Sequence, residues 1–206
     1  MFDSHAHIKE IRDNCLVASS FLDEYQLLKN YKHRAYGILF PKTNCSNILI
    51  EALENDKSAL CGEIGLDRRF RMECDIPFMS DMLSYLKESK RPFILHLVGR
   101  YDEMLRLLKE YKIDTPFMLH GFTGSYESAL SFTRLGGTIS LGPRSLKTRD
   151  INKLITLPFV LETDMEVSNE EQHVLENVYN EISILTGLDR EELESKVNKN
   201  ISPFLQ

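Results

Sequence analysis

Short apolar runs alternate along this chain with stretches in which apolar residues recur at helical spacing. That alternation is the pattern of an α/β domain built on parallel strands. The runs predict strands over residues 2–7, 15–19, 34–40, 59–66, 93–97, 117–121, 138–141 and 159–163. Helical periodicity predicts helices over 22–31, 48–55, 76–90, 101–111, 125–135 and 146–155, while the first connection, 8–14, is too short for a full helix. Two terminal helices follow, over 169–186 and 189–198, with Asn169 and Gln172 at loose capping-box spacing and Gly187 as a stop.

One short pattern is written three times: Pro92-Phe93-Ile94-Leu95-His96, Pro116-Phe117-Met118-Leu119-His120 and Pro158-Phe159-Val160-Leu161-Glu162. Proline is tolerated at the first position of a strand, and a continuous apolar body suits a strand covered on both faces. Each copy ends on a polar residue. Repeated strand-helix units with polar residues at the carboxyl ends of strands describe a compact (β/α)8 TIM-type barrel with short βα loops, one domain over residues 1–206, close to the lower size limit of that fold.

Those strand ends collect the candidate chemistry. Asp3-Ser4-His5-Ala6-His7 places Asp3, His5 and His7 on one face of an extended segment, since residues two apart point the same way. Glu63 lies in Cys61-Gly62-Glu63-Ile64-Gly65-Leu66-Asp67, His96 and His120 close the first two repeats, and Asp164 follows Leu161-Glu162-Thr163. Imidazoles and carboxylates are ligands of zinc-, manganese- and magnesium-like ions. His5, His7, Glu63, His96, His120 and Asp164 are the right supply for two divalent metal ions (Mg, Mn or Zn) bridged by Glu63 or a water. Such a pair activates water and stabilises both oxygens of a displacement at phosphorus.

Composition narrows the setting. With 206 residues, 42% hydrophobic and 27% charged, the chain reads as an ordinary globular one. It has no apolar run long enough for a bilayer and no signal-peptide pattern, so a cytoplasmic protein without a membrane partner is expected. Cys15, Cys45, Cys61 and Cys74 are irregularly spaced with no C-x-x-C pair and are expected to be reduced. The net charge of −6 means that a nucleic acid must be held by a local basic patch. Arg68, Arg69 and Arg71 after strand four, Arg100 after strand five, and Arg144, Lys147 and Arg149 after strand seven supply one; Phe70 and Phe122 lie where a base could stack.

The five motifs around these residues, in their order and spacing, resemble the TatD-like metal-dependent deoxyribonucleases, of the amidohydrolase-type barrels. The resemblance spans nearly the whole chain, down to Asn200-Ile201-Ser202-Pro203-Phe204. It implies that His5, His7, Glu63 and Asp164 hold one ion and Glu63, His96 and His120 the other. It also implies that Asp164 is the base orienting the attacking water, with Glu63 beside it in catalysis, and that Asp3 and Glu162 are supporting carboxylates that fix imidazole orientation. The expected activity is cleavage of DNA, single-stranded or at 3′ ends, as a 3′–5′ exonuclease, with Arg68, Arg69, Arg100 and Arg144 as substrate-binding residues.

The chain departs from the family in places. Gly37-Ile38-Leu39-Phe40-Pro41 carries phenylalanine near the family's G-[IV]-H-P histidine, Arg100 sits two positions late for H-x-R, and Asp164-Met165-Glu166 replaces D-[AS]-P. Two other readings therefore stand beside the nuclease: hydrolysis of a small ester, lactone or amide, and a metal-retaining subunit of a larger assembly. No lysine at a strand end is placed to be carboxylated, which favours the phosphodiesterase.

Overall fold

The computed structural model describes residues 1–205. Its strands are β1 (Asp3–Ala6), β2 (Cys15–Ala18), β3 (His33–Tyr36), β4 (Leu60–Asp67), β5 (Phe93–Val98), β6 (Phe117–His120), β7 (Gly137–Leu141) and β8 (Phe159–Leu161). Each pairs in parallel with the next, in the order β1 to β8, so the sheet curls into a nearly closed TIM-type barrel. The helices among the described residues are α1 (Tyr25–Leu28), α2 (Ser46–Asn55), α3 (Asp75–Ser89), α4 (Tyr101–Glu110), α5 (Tyr126–Thr133), α6 (Ile151–Leu154), α7 (Asn169–Thr186) and α8 (Arg190–Ile201). Strand bodies such as Phe93-Ile94-Leu95 and Phe159-Val160-Leu161 are fully buried, as an apolar run covered by helices on one side and barrel interior on the other must be.

The seam between β8 and β1 is closed by the chain just beyond them. The Asp164 amide donates to the His5 carbonyl at 3.1 Å, His7 to Met165 at 2.8 Å and Val167 to His7 at 3.0 Å. Asp3, buried in the same seam, accepts from the amides of His5 at 3.0 Å and Thr163 at 3.2 Å and from the Thr163 hydroxyl at 2.6 Å.

Several expected boundaries move. β3 ends at Tyr36 instead of residue 40, because the backbone of Glu63 crosses Gly37 so closely that a Cβ there would lie 2.0 Å from the Glu63 nitrogen. Phe40, at φ +56°, then turns off the extended path. The helix expected over 22–31 shrinks to a 3-10 turn and one α-turn, leaving Leu27 exposed. That over 146–155 breaks at Thr148, which is extended, and resumes at Ile151. The cap of α7 is Ser168, whose hydroxyl accepts from the Glu171 amide, and not Asn169; Gly187 ends the helix at φ +70°, as expected.

Candidate metal centre

Six side chains from the carboxyl ends of β1, β4, β5 and β6 and from the turn after β8 converge at one mouth of the barrel. β1 and the residue just after it deliver two of them, and β4, β5 and β6 one each. His5 is the third residue of β1 and His7 follows that strand; His96 and His120 are register partners on β5 and β6. Glu63 stands at the irregularity where β4 slips against β5 between Cys61 and Ile64. On the far side of β4 from Gly37, Gly65 lets β5 approach; a Cβ there would sit 1.9 Å from the His96 carbonyl oxygen. Asp164 is in the left-handed region at φ +59°, a conformation costing a non-glycine residue on the order of 1 kcal/mol. The bond from its amide to His5 holds it there.

Two overlapping clusters result. His5, His7, Glu63 and Asp164 present ligand atoms within 4.8 Å of one another, and so do Glu63, His96 and His120. In the first, His7 Nε2 lies 3.2 Å and His5 Nε2 3.7 Å from Asp164 Oδ1, and His5 Nε2 is 3.5 Å from Glu63 Oε1. In the second, Glu63 Oε1 is 2.5 Å from His120 Nε2 and 3.4 Å from His96 Nδ1, and those two nitrogens are 2.8 Å apart. One oxygen of Glu63 therefore faces both clusters.

The donor set fits cations and leaves visible debts without them. His5 is fully buried, yet neither ring nitrogen has a hydrogen-bond partner; His120 Nδ1 and Glu162 Oε2 are likewise buried and unpaired. Each such group costs about 1–3 kcal/mol when left unsatisfied. The titration behaviour points the same way. Burial alone would raise Glu63, but the charge of His120 and the facing imidazoles outweigh it and hold this carboxyl well below the usual range. Burial opposes charging His120, yet Glu63 and Glu162 push it well above the ordinary histidine value. Burial and the charge of His120 hold His5 below it. Asp164, against the effect of burial, is kept ionised by the hydrogen bond from His7 and the charges of His5 and His120. A proton on His120 thus occupies a place that suits a metal cation.

One of the supporting carboxylates, Asp3, differs from expectation. Asp3 touches no imidazole; its oxygens go to backbone and hydroxyl donors of the seam, so its expected role in orienting a ring is corrected to fixing the β1–β8 junction. Burial and the neighbouring buried Glu171 push its carboxyl well above the usual range. Glu162 accepts from the Gly121 amide at 2.6 Å and faces His120 Nδ1 at 3.8 Å. Two partners escaped the sequence reading. Asp67 is buried, and its Oδ2 lies 3.1 Å from His96 Nε2, leaving Nδ1 to point at Glu63; Ser20 donates to Glu63 Oε2 at 2.9 Å. Asp67 was accessible by pattern, since Glu63, Gly65 and Asp67 alternate along β4. Ser20 carried no signal.

The basic rim divides. Arg68 is exposed and lies over Gly99. Arg69 chelates Asp67 with its side chain 55% exposed, and Arg144 reaches Asp164 from an exposed position. Arg100 is different: it is buried, with its guanidinium committed to Asp75 at 2.6 Å and to Glu103 at 2.7 and 2.8 Å, which removes it from substrate binding. Phe122 is buried against Tyr101 and presents no face to a base, whereas Phe70 is 52% exposed. All four cysteines are free. Among the described residues no helix is long and apolar enough to cross a membrane. A cavity of about 340 Å³ opens beside the centre, lined by Gly121, Gly142, Arg144, Glu162 and Asp164. One of about 390 Å³, against Arg91 and Pro203, lies at the opposite end of the barrel and meets none of these groups.

Residues 4–206 match the family described as TatD related DNase. The uncharacterized metal-dependent hydrolase YjjV of Escherichia coli is 35% identical over 127 residues, 56% of this chain and 49% of that protein. An uncharacterized metal-dependent hydrolase of Haemophilus influenzae is 31% identical over 135 residues, 57% of this chain and 51% of its own. The matched stretch spans about half the length of these curated relatives. Among solved structures, that of YjjV superposes with a TM-score of 0.73 at 24% identity, covering 92% of this chain and 85% of the other. A TatD family hydrolase of Entamoeba histolytica gives 0.75 at 16%, covering 98% and 84%. At these identities the two structures speak for the fold alone.

Proposed function

Since the chain belongs to the TatD-related DNase family, we propose that residues 1–206 form one catalytic barrel, a metal-dependent hydrolase that cleaves DNA phosphodiester bonds, trimming single strands or 3′ ends. The observation that carries this reading is the convergence of His5, His7, Glu63, His96, His120 and Asp164 into two clusters that share Glu63. In it, His5, His7, Glu63 and Asp164 hold one divalent ion and Glu63, His96 and His120 a second, of magnesium, manganese or zinc. Ions so held supply a lowered water pKa and positive charge against the developing charge on phosphate oxygens.

The chain's own groups do the rest. Asp164, in the first cluster, would accept a hydrogen bond from the attacking water and so orient it. Asp67 fixes the ring of His96 and Ser20 fixes the second oxygen of Glu63, so neither ligand turns away as charge builds. Arg144, beside Asp164 and the neighbouring cavity, and Arg68 and Arg69 on the rim take substrate phosphates through their guanidinium groups.

The test is metal analysis joined to digestion of end-labelled single-stranded DNA in magnesium or manganese, with and without chelator. Binding of at least one ion per chain with chelator-sensitive shortening of the label is the expected result. Less than one ion with no cleavage in any metal would end the proposal.

A further inference from the structure

We propose that Phe40 and Phe70 form a ledge beside His96 that seats the nucleobase of the nucleotide being cleaved; this rests on reading the centre as a nuclease site. Phe40, four residues beyond the end of β3, turns at φ +56°, in the left-handed region that phenylalanine rarely adopts, and its ring stands at the mouth of the barrel. There it meets Phe70 with ring centroids 4.7 Å apart and stands edge-on to His96 at 5.9 Å. The ledge therefore abuts the cluster of Glu63, His96 and His120.

Its outer ring is open. Phe70 keeps 52% of its surface exposed, an arrangement that apolar burial alone disfavours. Arg69 lies 5.8 Å from the centre of that ring while it chelates Asp67, the carboxylate that holds His96. An exposed aromatic ring, a guanidinium over it and a phosphate-cleaving centre beside it match a nucleotide: the base stacks on the exposed ring surface while the cation meets the phosphate. A small ester or lactone without an aromatic ring would leave the ledge bare.

The ledge is also braced in place. The Leu39 amide donates to the Ser20 carbonyl at 2.9 Å, and Ser20 in turn binds Glu63. The Cys74 thiol donates to the Pro41 carbonyl, which ties the loop bearing Phe70 to the loop bearing Phe40. Two rings fixed before substrate arrives spare the entropy of ordering them on binding.

The experiment has a binding arm and a cleavage arm. Deoxyadenosine 5′-monophosphate and deoxyribose 5-phosphate are titrated into the protein as purified and followed by NMR. The base is expected to tighten binding about tenfold, the scale of one base on an aromatic side chain, and Phe70→Ala or Phe40→Gly to erase the difference. Glycine takes positive φ freely, so Phe40→Gly removes the ring without straining the turn, and thermal melting checks that both variants fold. Equal affinity of the two ligands for the wild type, or a difference that survives both variants, overturns the proposal. In the cleavage arm, end-labelled oligonucleotides carry a normal or an abasic terminal residue. The wild type should favour the normal end through KM, and the preference should collapse in Phe70→Ala; an unchanged preference also overturns the ledge. Failure to cleave either substrate in any metal would remove the nuclease reading, while the binding arm still judges the ledge.

Discussion

Replacing Asp67 by asparagine keeps the shape of the side chain and removes its charge. Asp67 Oδ2 lies 3.1 Å from His96 Nε2, and the same carboxylate accepts from the Arg69 amide at 2.8 Å, from its Nε at 3.0 Å and from its Nη2 at 2.5 Å. Asparagine has one acceptor oxygen and must choose. If it keeps Arg69, its NH2 turns toward His96 and selects the ring tautomer protonated at Nδ1, the nitrogen that faces Glu63 at 3.4 Å and His120 Nε2 at 2.8 Å. A protonated nitrogen cannot ligate. Partners of this kind are worth about 10- to 100-fold in metal affinity, or about 1.4–2.8 kcal/mol.

The fold should suffer less. The Arg69 side chain is 55% exposed, so solvent screens its pair down to about 1 kcal/mol or less. The charge-assisted bond to His96 adds about 1.5 kcal/mol, for a total near 2 kcal/mol at neutral pH. Burial works against it, but the hydrogen bonds from Arg69 and His96 lower the Asp67 pKa to about 2. A folded pKa below the ordinary value means that this stabilisation is complete above about pH 4 and is lost as pH falls toward 2. The gap between wild type and Asp67→Asn in urea denaturation should close over that window. Metal titration against a chromophoric chelator reads the first effect. An Asp67→Asn protein that binds its ions within twofold of wild type would refute the tautomer reasoning.

Three further outcomes are expected. Asp3→Ala strips the seam of the acceptor for His5, Thr163 and the Thr163 hydroxyl and should cost about 2–4 kcal/mol by urea denaturation; a loss under about 1 kcal/mol would mean that water replaces it. Arg100→Ala leaves Asp75 buried without its cation and should destabilise by about 2–4 kcal/mol while the salt dependence of DNA binding stays as in wild type. Arg68→Ala with Arg69→Ala should instead flatten that dependence, and the reverse pattern would restore Arg100 to the binding surface. Because Glu63 and Glu162 raise His120 above the ordinary histidine value, metal must displace a proton there. Affinity should rise with pH and calorimetry in buffers of different ionisation enthalpy should show proton release; a buffer-independent heat would contradict it.

The Asp3-x-His5-x-His7 motif located the polar β1, and apolar runs were sufficient to locate strands such as β6 and β8, because a strand buried on both faces has no other way to be written. They were also sufficient to bring His5, His96 and His120 to one mouth, since parallel strands in one sheet share a carboxyl end. Boundaries were less legible where tertiary contact overrides local pattern: β3 stops because Glu63 crosses Gly37, a proximity between residues 26 apart that no periodicity contains. The helix over 146–155 has the right apolar spacing, yet Asp150 spends its carboxylate on the Tyr126 amide at the start of α5, and only one turn remains after it. Arg100 read as a rim cation because charge after a strand implies exposure. Its burial depends on Glu103, three residues further on, and on Asp75, which meets it only when α3 and α4 are side by side.

The seam has a consequence for how the centre comes into being. Thr163 and Asp3 are 160 positions apart, and Asp164 bonds the His5 backbone across the same gap. Three ligands of the first cluster, His5, His7 and Glu63, are thus made early in synthesis and the fourth, Asp164, only once β8 has been made, so no nascent fragment short of β8 holds all its ligands. An ion gripped by His5, His7 and Asp164 would then act like a hoop on a cask, drawing the first and last staves together. Metal withdrawal should be felt first as loosening along that joint, with amide protons of His7, Asp164 and Val167 exchanging ahead of the rest of the barrel.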